Sequence, residues 1–389
     1  MGAIKRITVK GFKSIRELNE FELKPLNVIV GANGAGKSNL IQIFRMLLAM
    51  AQKNFQAFIL ANGGGDAFPF NGLKNTPQID IGFEFESDSI YAEGHNFYKF
   101  SLSPTVDEKF LIEETRRYHT RTWQSYGSPS EESQLYDMRN ERSYTGEWNG
   151  TGYFVYKAIS NWMVYHFHDT SANAPMRRSA IIEDHEKLRG DAENIAPFLL
   201  HLRAPAKQDA VGITIDFASD SNAAYQKIVE AVRLVIPFFE DFRLDVFHHG
   251  EMEKVKLSWK QKGSDYPMQP YHLSDGSIRF ICLATALLQP TPPSTIIIDE
   301  PELGLHPEAI GILAELIKLA STRTQVIVAT QSPLLLDQFS VEDVVVVRRK
   351  DGASVFERLK EEDYTHWLED YSLGELWTKN VIQGGTSHE

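Results

Sequence analysis

Gly31-Ala32-Asn33-Gly34-Ala35-Gly36-Lys37-Ser38 decides how this chain reads, because it meets G-x-x-x-x-G-K-[ST] at every fixed position. Each part answers a need of phosphate chemistry. The glycines let successive backbone N–H groups curl around an anion, Lys37 adds a charge at the β and γ positions, and the Ser38 hydroxyl suits Mg²⁺. Upstream, Leu26-Asn27-Val28-Ile29-Val30 is a compact apolar run that reads as a strand. Downstream, Leu40, Ile41, Phe44, Leu47 and Leu48 recur at helical spacing, predicting a helix from Ser38 to about Ala61 with Asn62-Gly63-Gly64-Gly65 as its stop. The N-terminus of that helix points its dipole at the same anion. The implied ligands are ATP and Mg²⁺, with Gly31, Ala32, Asn33, Gly34, Ala35, Gly36, Lys37, Ser38 and Asn39 as candidate nucleotide-binding residues.

A second constellation lies far along the chain. Thr295-Ile296-Ile297-Ile298-Asp299-Glu300 is a buried-type strand ending in two adjacent carboxylates. Asp299 joins Ser38 as the candidate metal ligand set, and Glu300 is the candidate base for an attacking water, with Lys37 as a second catalytic group. Strand Thr295–Ile298, helix Glu308–Ala320, strand Gln325–Ala329, helix Leu334–Gln338 and strand Asp343–Arg348 alternate as in a parallel sheet, and Lys350-Asp351-Gly352 turns the chain back. Gln331 follows the middle strand, where its amide can hydrogen-bond a γ-phosphate or water but cannot be protonated. Leu273-Ser274-Asp275-Gly276-Ser277 opens a helix shortly before the acidic strand, with Ser274 as its natural N-cap.

Together these segments resemble the RecF, SMC and OLD branch of ABC-type ATPases. Leu273–Ser277 is similar to the LSGGQ signature, with Asp275 and Ser277 replacing a glycine and a glutamine. Asp299-Glu300-Pro301-Glu302-Leu303-Gly304-Leu305-His306-Pro307 resembles the joined Walker B and D-loop of that branch, and Val9-Lys10-Gly11-Phe12-Lys13-Ser14-Ile15 its first strand. Tyr371-Ser372-Leu373-Gly374-Glu375-Leu376-Trp377 resembles a group of stand-alone RecF-like ATPases of AAA type. The resemblance covers residues 1–60 and 270–380 well and the interval between them poorly. It implies an α/β fold: an ABC-type P-loop NTPase with a mixed sheet, an antiparallel β subdomain and an inserted, mainly helical lid. The expected divisions are an N-terminal ATPase lobe at 1–115, the lid at 116–240 and a C-terminal lobe at 241–389. It also implies that Ser274 and Gly276 of one subunit cap the γ-phosphate held by another, so that ATP joins a homodimer or a higher oligomer. Lys13 is carried over as a nucleotide contact; a solvated strand lysine reads equally well. Many relatives carry histidine where Gln331 stands, and a Q-loop is to be sought within Asp66–Gln78.

Composition sets the outer limits. The 389 residues include 42% hydrophobic and 24% charged side chains, an ordinary globular balance that allows two or three domains. A formal net charge of -12 argues against non-specific coating of nucleic acid, so DNA contact has to be local or supplied by a partner. Cys282 is the only cysteine, which excludes an internal disulfide framework and fits the cytoplasm. Met46 to Ala51 and Val344 to Val347 are too short to cross a membrane. Arg116-Arg117-Tyr118-His119-Thr120-Arg121-Thr122-Trp123 mixes cations with rings as single-strand-binding surfaces do, and a charged hairpin face explains it equally well. His166 and His168 share one strand face, but no third ligand accompanies them.

The expected role is an ATP-driven switch in DNA repair or antiphage defence. Relatives often act with a Toprim-type nuclease; no such domain fits here, so the nuclease or other effector is expected on a separate chain. The alternatives are an ATP-binding subunit of a transporter, disfavoured by the long interval from Lys37 to Ser274, and an ATP-dependent scaffold that does not hydrolyse.

Overall fold

The computed structural model describes residues 2–86, 94–142, 150–203 and 217–382. Parts of the expected lid, 143–149 and 204–216, lie outside the described residues. The chain forms two compact units. The first contains Met1–Val164, Pro293–Asp299 and Thr324–Glu389; the second contains Tyr165–Pro292 and Glu300–Arg323.

The first unit carries two six-stranded sheets. One runs Ala353–Arg358, Val344–Lys350, Leu26–Val30, Gln325–Thr330, Thr295–Asp299, Trp162–Tyr165. Its four central strands are parallel and nearly continuous in apolar residues, as burial on both faces requires. The hairpin Val344–Lys350/Ala353–Arg358 closes one edge in antiparallel register. The other sheet runs Ile15–Glu22, Ile4–Phe12, Ile79–Phe85, Asn96–Pro104, Phe110–Tyr118, Gln124–Ser125 and is antiparallel throughout. Its strands alternate: Ile7 and Val9, then Ile81 and Phe83, then Tyr98 and Phe100 turn inward. The helix Lys37–Ala51 shares one core with both sheets, burying Leu40, Ile41, Phe44, Met46 and Leu47 among Ile29, Ile297, Ile327, Val345 and Trp162. Phe44 meets the Trp162 ring edge-on at 5.2 Å.

The single helix predicted from Ser38 to Ala61 is in fact two, Lys37–Ala51 and Phe55–Ala61. Lys53 takes a left-handed conformation with φ 55°, and Asn54 N–H returns to the Ala49 carbonyl. The second helix starts on the Glu132 carboxylate, which accepts from Phe55 N–H and Gln56 N–H. That cap comes from a residue far along the chain, so helical periodicity had no means of showing it.

The second unit packs the helices Ile195–Arg203, Phe217–Val235, Asp275–Leu288 and Pro307–Ser321 with two three-stranded sheets. The Asp275–Leu288 helix is buried at every residue from Ile278 onward. The strands predicted at Phe242–Phe247 and Val255–Lys260 are each divided. Phe239–Arg243 and Ser258–Gln261 pair in one sheet, while Phe247–His249 and Met252–Val255 pair in the other. A bulge between Phe239 and Asp241 shifts the register, and Phe239, Phe242 and Trp259 are all buried. Among the described residues no helix is long and apolar enough to cross a membrane.

Candidate nucleotide site

Strand register assembles the first unit's part of the site. Asp299 lies opposite Ala329, Ala329 opposite Ile29, and Thr330 opposite Val30. Three adjacent parallel strands therefore end within one residue of one another, and ligands of parallel α/β sheets bind at such carboxyl ends. From the first of them leaves the loop Gly31–Gly36, from the second Gln331, and the third ends in Asp299.

The loop is shaped by contacts behind it. A Cβ on Gly31 would meet the Val347 carbonyl oxygen at 2.5 Å, and Gly36, at φ 117°, has no room for one beside the Ser354 and Ser14 hydroxyls. Gly34, at φ 77°, is glycine for its conformation alone, since nothing crowds it. The Lys37 ammonium is buried and donates to the Gly31 carbonyl at 2.5 Å and to the Ala32 carbonyl at 3.2 Å. It thus stands over the loop mouth at the start of its helix. Ser38 is exposed and Asn39 half-buried, with Asn39 Nδ2 donating to Ser14 Oγ at 2.6 Å. The first N–H groups of a helix have no carbonyl of their own turn to bond, and Lys37 and Ser38 stand at that end of their helix, where an anion is favoured. The residues thus fit a Mg²⁺–nucleotide: a cationic Lys37, a glycine-lined loop, an exposed hydroxyl and the half-buried Asp299.

Two serines missed by sequence reading hold this loop. Ser354 Oγ donates to the Ala35 carbonyl at 2.5 Å and lies in hydrogen-bond contact with Ser14 Oγ, and Ser354 N–H bonds the Ser14 carbonyl at 2.7 Å. Ser14 at least lay within the quoted first-strand motif; Ser354 had no local signal. Lys13, just before Ser14, is left-handed at φ 49°, and its ammonium lies 4.7 Å from the centre of the Phe68 ring. Partial burial there pulls its pKa down. The Asp66–Gln78 segment backs this turn, with Lys13 N–H bonded to the Phe68 carbonyl and Phe70 N–H to that of Gly11.

The segment following Gln331 is fixed from behind. Ser332 caps the short helix Pro333–Leu336, and Gly374 N–H reaches Asp337 Oδ1 from a second helix capped by Ser372. A Cβ on Gly374 would strike the Pro333 carbonyl, so the Tyr371–Trp377 motif is a close packing partner of this segment.

In the second unit, Glu300 takes a left-handed conformation at φ 45° immediately after Asp299. Ser274 N-caps the helix Asp275–Leu288, its Oγ accepting from Ser277 N–H at 3.1 Å. Gly276 leaves no room for a Cβ against the Gly304 carbonyl, which ties the signature helix to the Glu302–Leu305 turn. The buried Arg279 reinforces that tie, donating to the Leu303, Phe167 and His168 carbonyls. Sequence reading also missed Arg279 and Arg177; the Arg177 guanidinium donates to the Thr170, Pro270 and Leu273 carbonyls and to Asp275 Oδ1. The His166 and His168 rings lie 3.9 Å apart with their planes tilted by 35°, and no group of three metal-binding side chains occurs among the described residues. Arg116 is committed to Glu141, at 2.7 Å, and to the Tyr126 ring.

The family described as "AAA domain, putative AbiEii toxin, Type IV TA system" matches residues 26–337. The chain belongs to this family. Among solved structures this AAA-domain protein is similar to an SMC head bound to the C-winged helix domain of ScpA, at 15% identity and TM-score 0.59, covering 94% of this chain and 99% of that one. A similar match is the SMC head with an extended coiled coil bound to the C-terminal domain of ScpA from Pyrococcus furiosus, at 18% identity and TM-score 0.58, with 95% and 99% covered. The SMC head with a coiled coil and joint from Pyrococcus yayanosii matches at 14% identity and TM-score 0.52, over 95% and 99%. No curated protein sequence matches the chain. The fold is that of RecF- and SMC-like ABC-type P-loop ATPases, a mixed α/β architecture with several sheets.

Proposed function

We propose that this AAA-domain protein is a Mg²⁺-dependent ATPase that closes as a homodimer around ATP and acts as a switch for a separate effector chain. The observation that carries the reading is that Val30, Thr330 and Asp299 end adjacent parallel strands within one residue of one another at the sheet's carboxyl edge, with Lys37 opening the helix beyond the loop. Bound ATP and Mg²⁺ would supply a polarised γ-phosphoryl group. The loop amides and Lys37 hold the β- and γ-phosphates, while Ser38 and Asp299 hold the metal. Glu300 takes the proton of the attacking water, and Gln331 orients that water. Ser274 and the amides beside Gly276 supply a second helix N-terminus to the nucleotide of the opposing subunit.

Neutral Gln331 cannot relay a proton, which favours slow turnover and therefore a gate over a motor. The toxin and toxin–antitoxin description of the family supports a defence setting over repair. That SMC heads carry ScpA domains supports docking of another chain on this fold. Size-exclusion chromatography with light scattering on the Glu300→Gln protein tests the proposal. A dimer that forms with Mg²⁺–ATP and is absent without it is expected; a monomer at saturating ATP sinks it. The non-hydrolysing scaffold predicts the same dimer but no phosphate release from the unsubstituted protein.

A further inference from the structure

The signature of this chain departs from LSGGQ at Asp275, which places a carboxylate in the first turn of a helix meant to face a polyanion. A negative charge there stabilises the helix through its dipole but repels the γ-phosphate the helix is to cap. The second unit contains the compensating group. Arg177, with a side chain only 6% exposed, places its guanidinium NH2 3.0 Å from Asp275 Oδ1, while the Asp275 side chain is 70% exposed. The same guanidinium donates to the Pro270 carbonyl at 2.5 Å, to the Leu273 carbonyl at 3.2 Å and, through Nε, to the Thr170 carbonyl at 2.9 Å. One side chain from the turn Pro175–Arg177 therefore fixes both the backbone leading into Ser274 and the charge of the residue after it.

We propose that Arg177 is the positioning residue of the variant signature, neutralising Asp275 and holding Pro270–Ser274 so that Ser274 and the Gly276–Ser277 amides meet the opposing nucleotide. The inference rests on the ATP-sandwich reading. Arginine is required over lysine, because four acceptors lie around one planar fork that a single ammonium cannot span. The pairing also accounts for the glycine-to-aspartate departure: Asp275 is tolerated because a buried cation answers it.

Two measurements separate this inference from the reading beneath it. Hydrogen exchange of the ATP-free protein judges the brace alone. Arg177→Gln should speed exchange at Leu273, Ser277 and Ile278 and leave Val326–Ala329 unchanged, and equal rates in both proteins overturn the brace. Dimerisation in the Glu300→Gln background judges the consequence. Adding Arg177→Gln should raise the ATP concentration needed for dimer formation roughly tenfold or more, as expected for losing a charge-assisted bond. Arg177→Lys should recover part of it, and Arg177→Gln with Asp275→Gly should recover most, since the repelling carboxylate is gone. Unchanged dimerisation in Arg177→Gln, or no recovery on adding Asp275→Gly, overturns the charge role. A Glu300→Gln parent that stays monomeric with ATP while Arg177→Gln loosens the signature overturns the sandwich and supports the brace.

Discussion

Ser354 Oγ lies 2.7 Å from Ser14 Oγ across 340 positions of sequence, and Ser354 also donates to the Ala35 carbonyl inside the phosphate loop. The C-terminal hairpin therefore sets the shape of an N-terminal loop. Ser354→Ala should cost about 1 kcal/mol of stability, the usual net value of a buried hydrogen bond, and weaken ATP binding several-fold by freeing the loop. Isothermal calorimetry with a chemical melt separates the two effects. Unaltered ATP affinity would mean that the loop keeps its form without this serine.

Gly36 and Gly31 predict a contrast. Gly36→Ala adds a Cβ against two serine hydroxyls at a residue with φ 117°, in the middle of the cradle. ATP binding should fall below detection while the fold persists. Gly31→Ala drives a Cβ into the Val347 carbonyl, backbone that cannot rotate away, and should reduce stability by about 1–3 kcal/mol as overpacking does. Thermal melting with and without Mg²⁺–ATP reads both. Equal ligand-induced stabilisation in Gly36→Ala and the parent would refute the first expectation.

Glu300→Gln keeps the size of the side chain and removes its basicity. Phosphate release should drop at least about a hundredfold, the lower end of what a general base contributes, while ATP affinity is kept or raised. Stopped-time phosphate assays alongside equilibrium binding show the split. Hydrolysis at the parental rate would remove Glu300 from the chemistry.

His185 and His201 stack with ring centres 4.3 Å apart, and burial, followed by the neighbouring imidazole, lowers the pKa of His201. A depressed folded-state pKa makes its contribution to stability complete above the unfolded value and lost as pH falls through the folded value. The melting temperature should therefore decline from about pH 7 to about pH 5, and His201→Gln should flatten that decline. An identical pH profile for the variant would show that this pair does not report on folding.

The Lys37–Ala51 helix, the Thr295–Asp299 strand and the parallel βαβ order were legible because periodicity and apolar runs are local properties. The break at Lys53 was not, because it depends on the Glu132 carboxylate supplying a cap from a distant loop. The split strands after Phe239 escaped for a similar reason, since a bulge and a change of pairing partner leave the β-type composition intact.

By itself the sequence determined that a glycine-rich loop joins a buried strand to a helix and that a second buried strand ends in Asp299. Those are statements about neighbours in the chain, fixed by φ freedom and hydrophobic pattern. Only the tertiary structure brought Asp299 level with Ile29, set Ser354 behind Ala35, and placed Arg177 on Asp275. Register and long-range hydrogen bonds decide such pairings, and they arise when strands and helices bury their apolar faces together, through contacts that no short window of sequence contains.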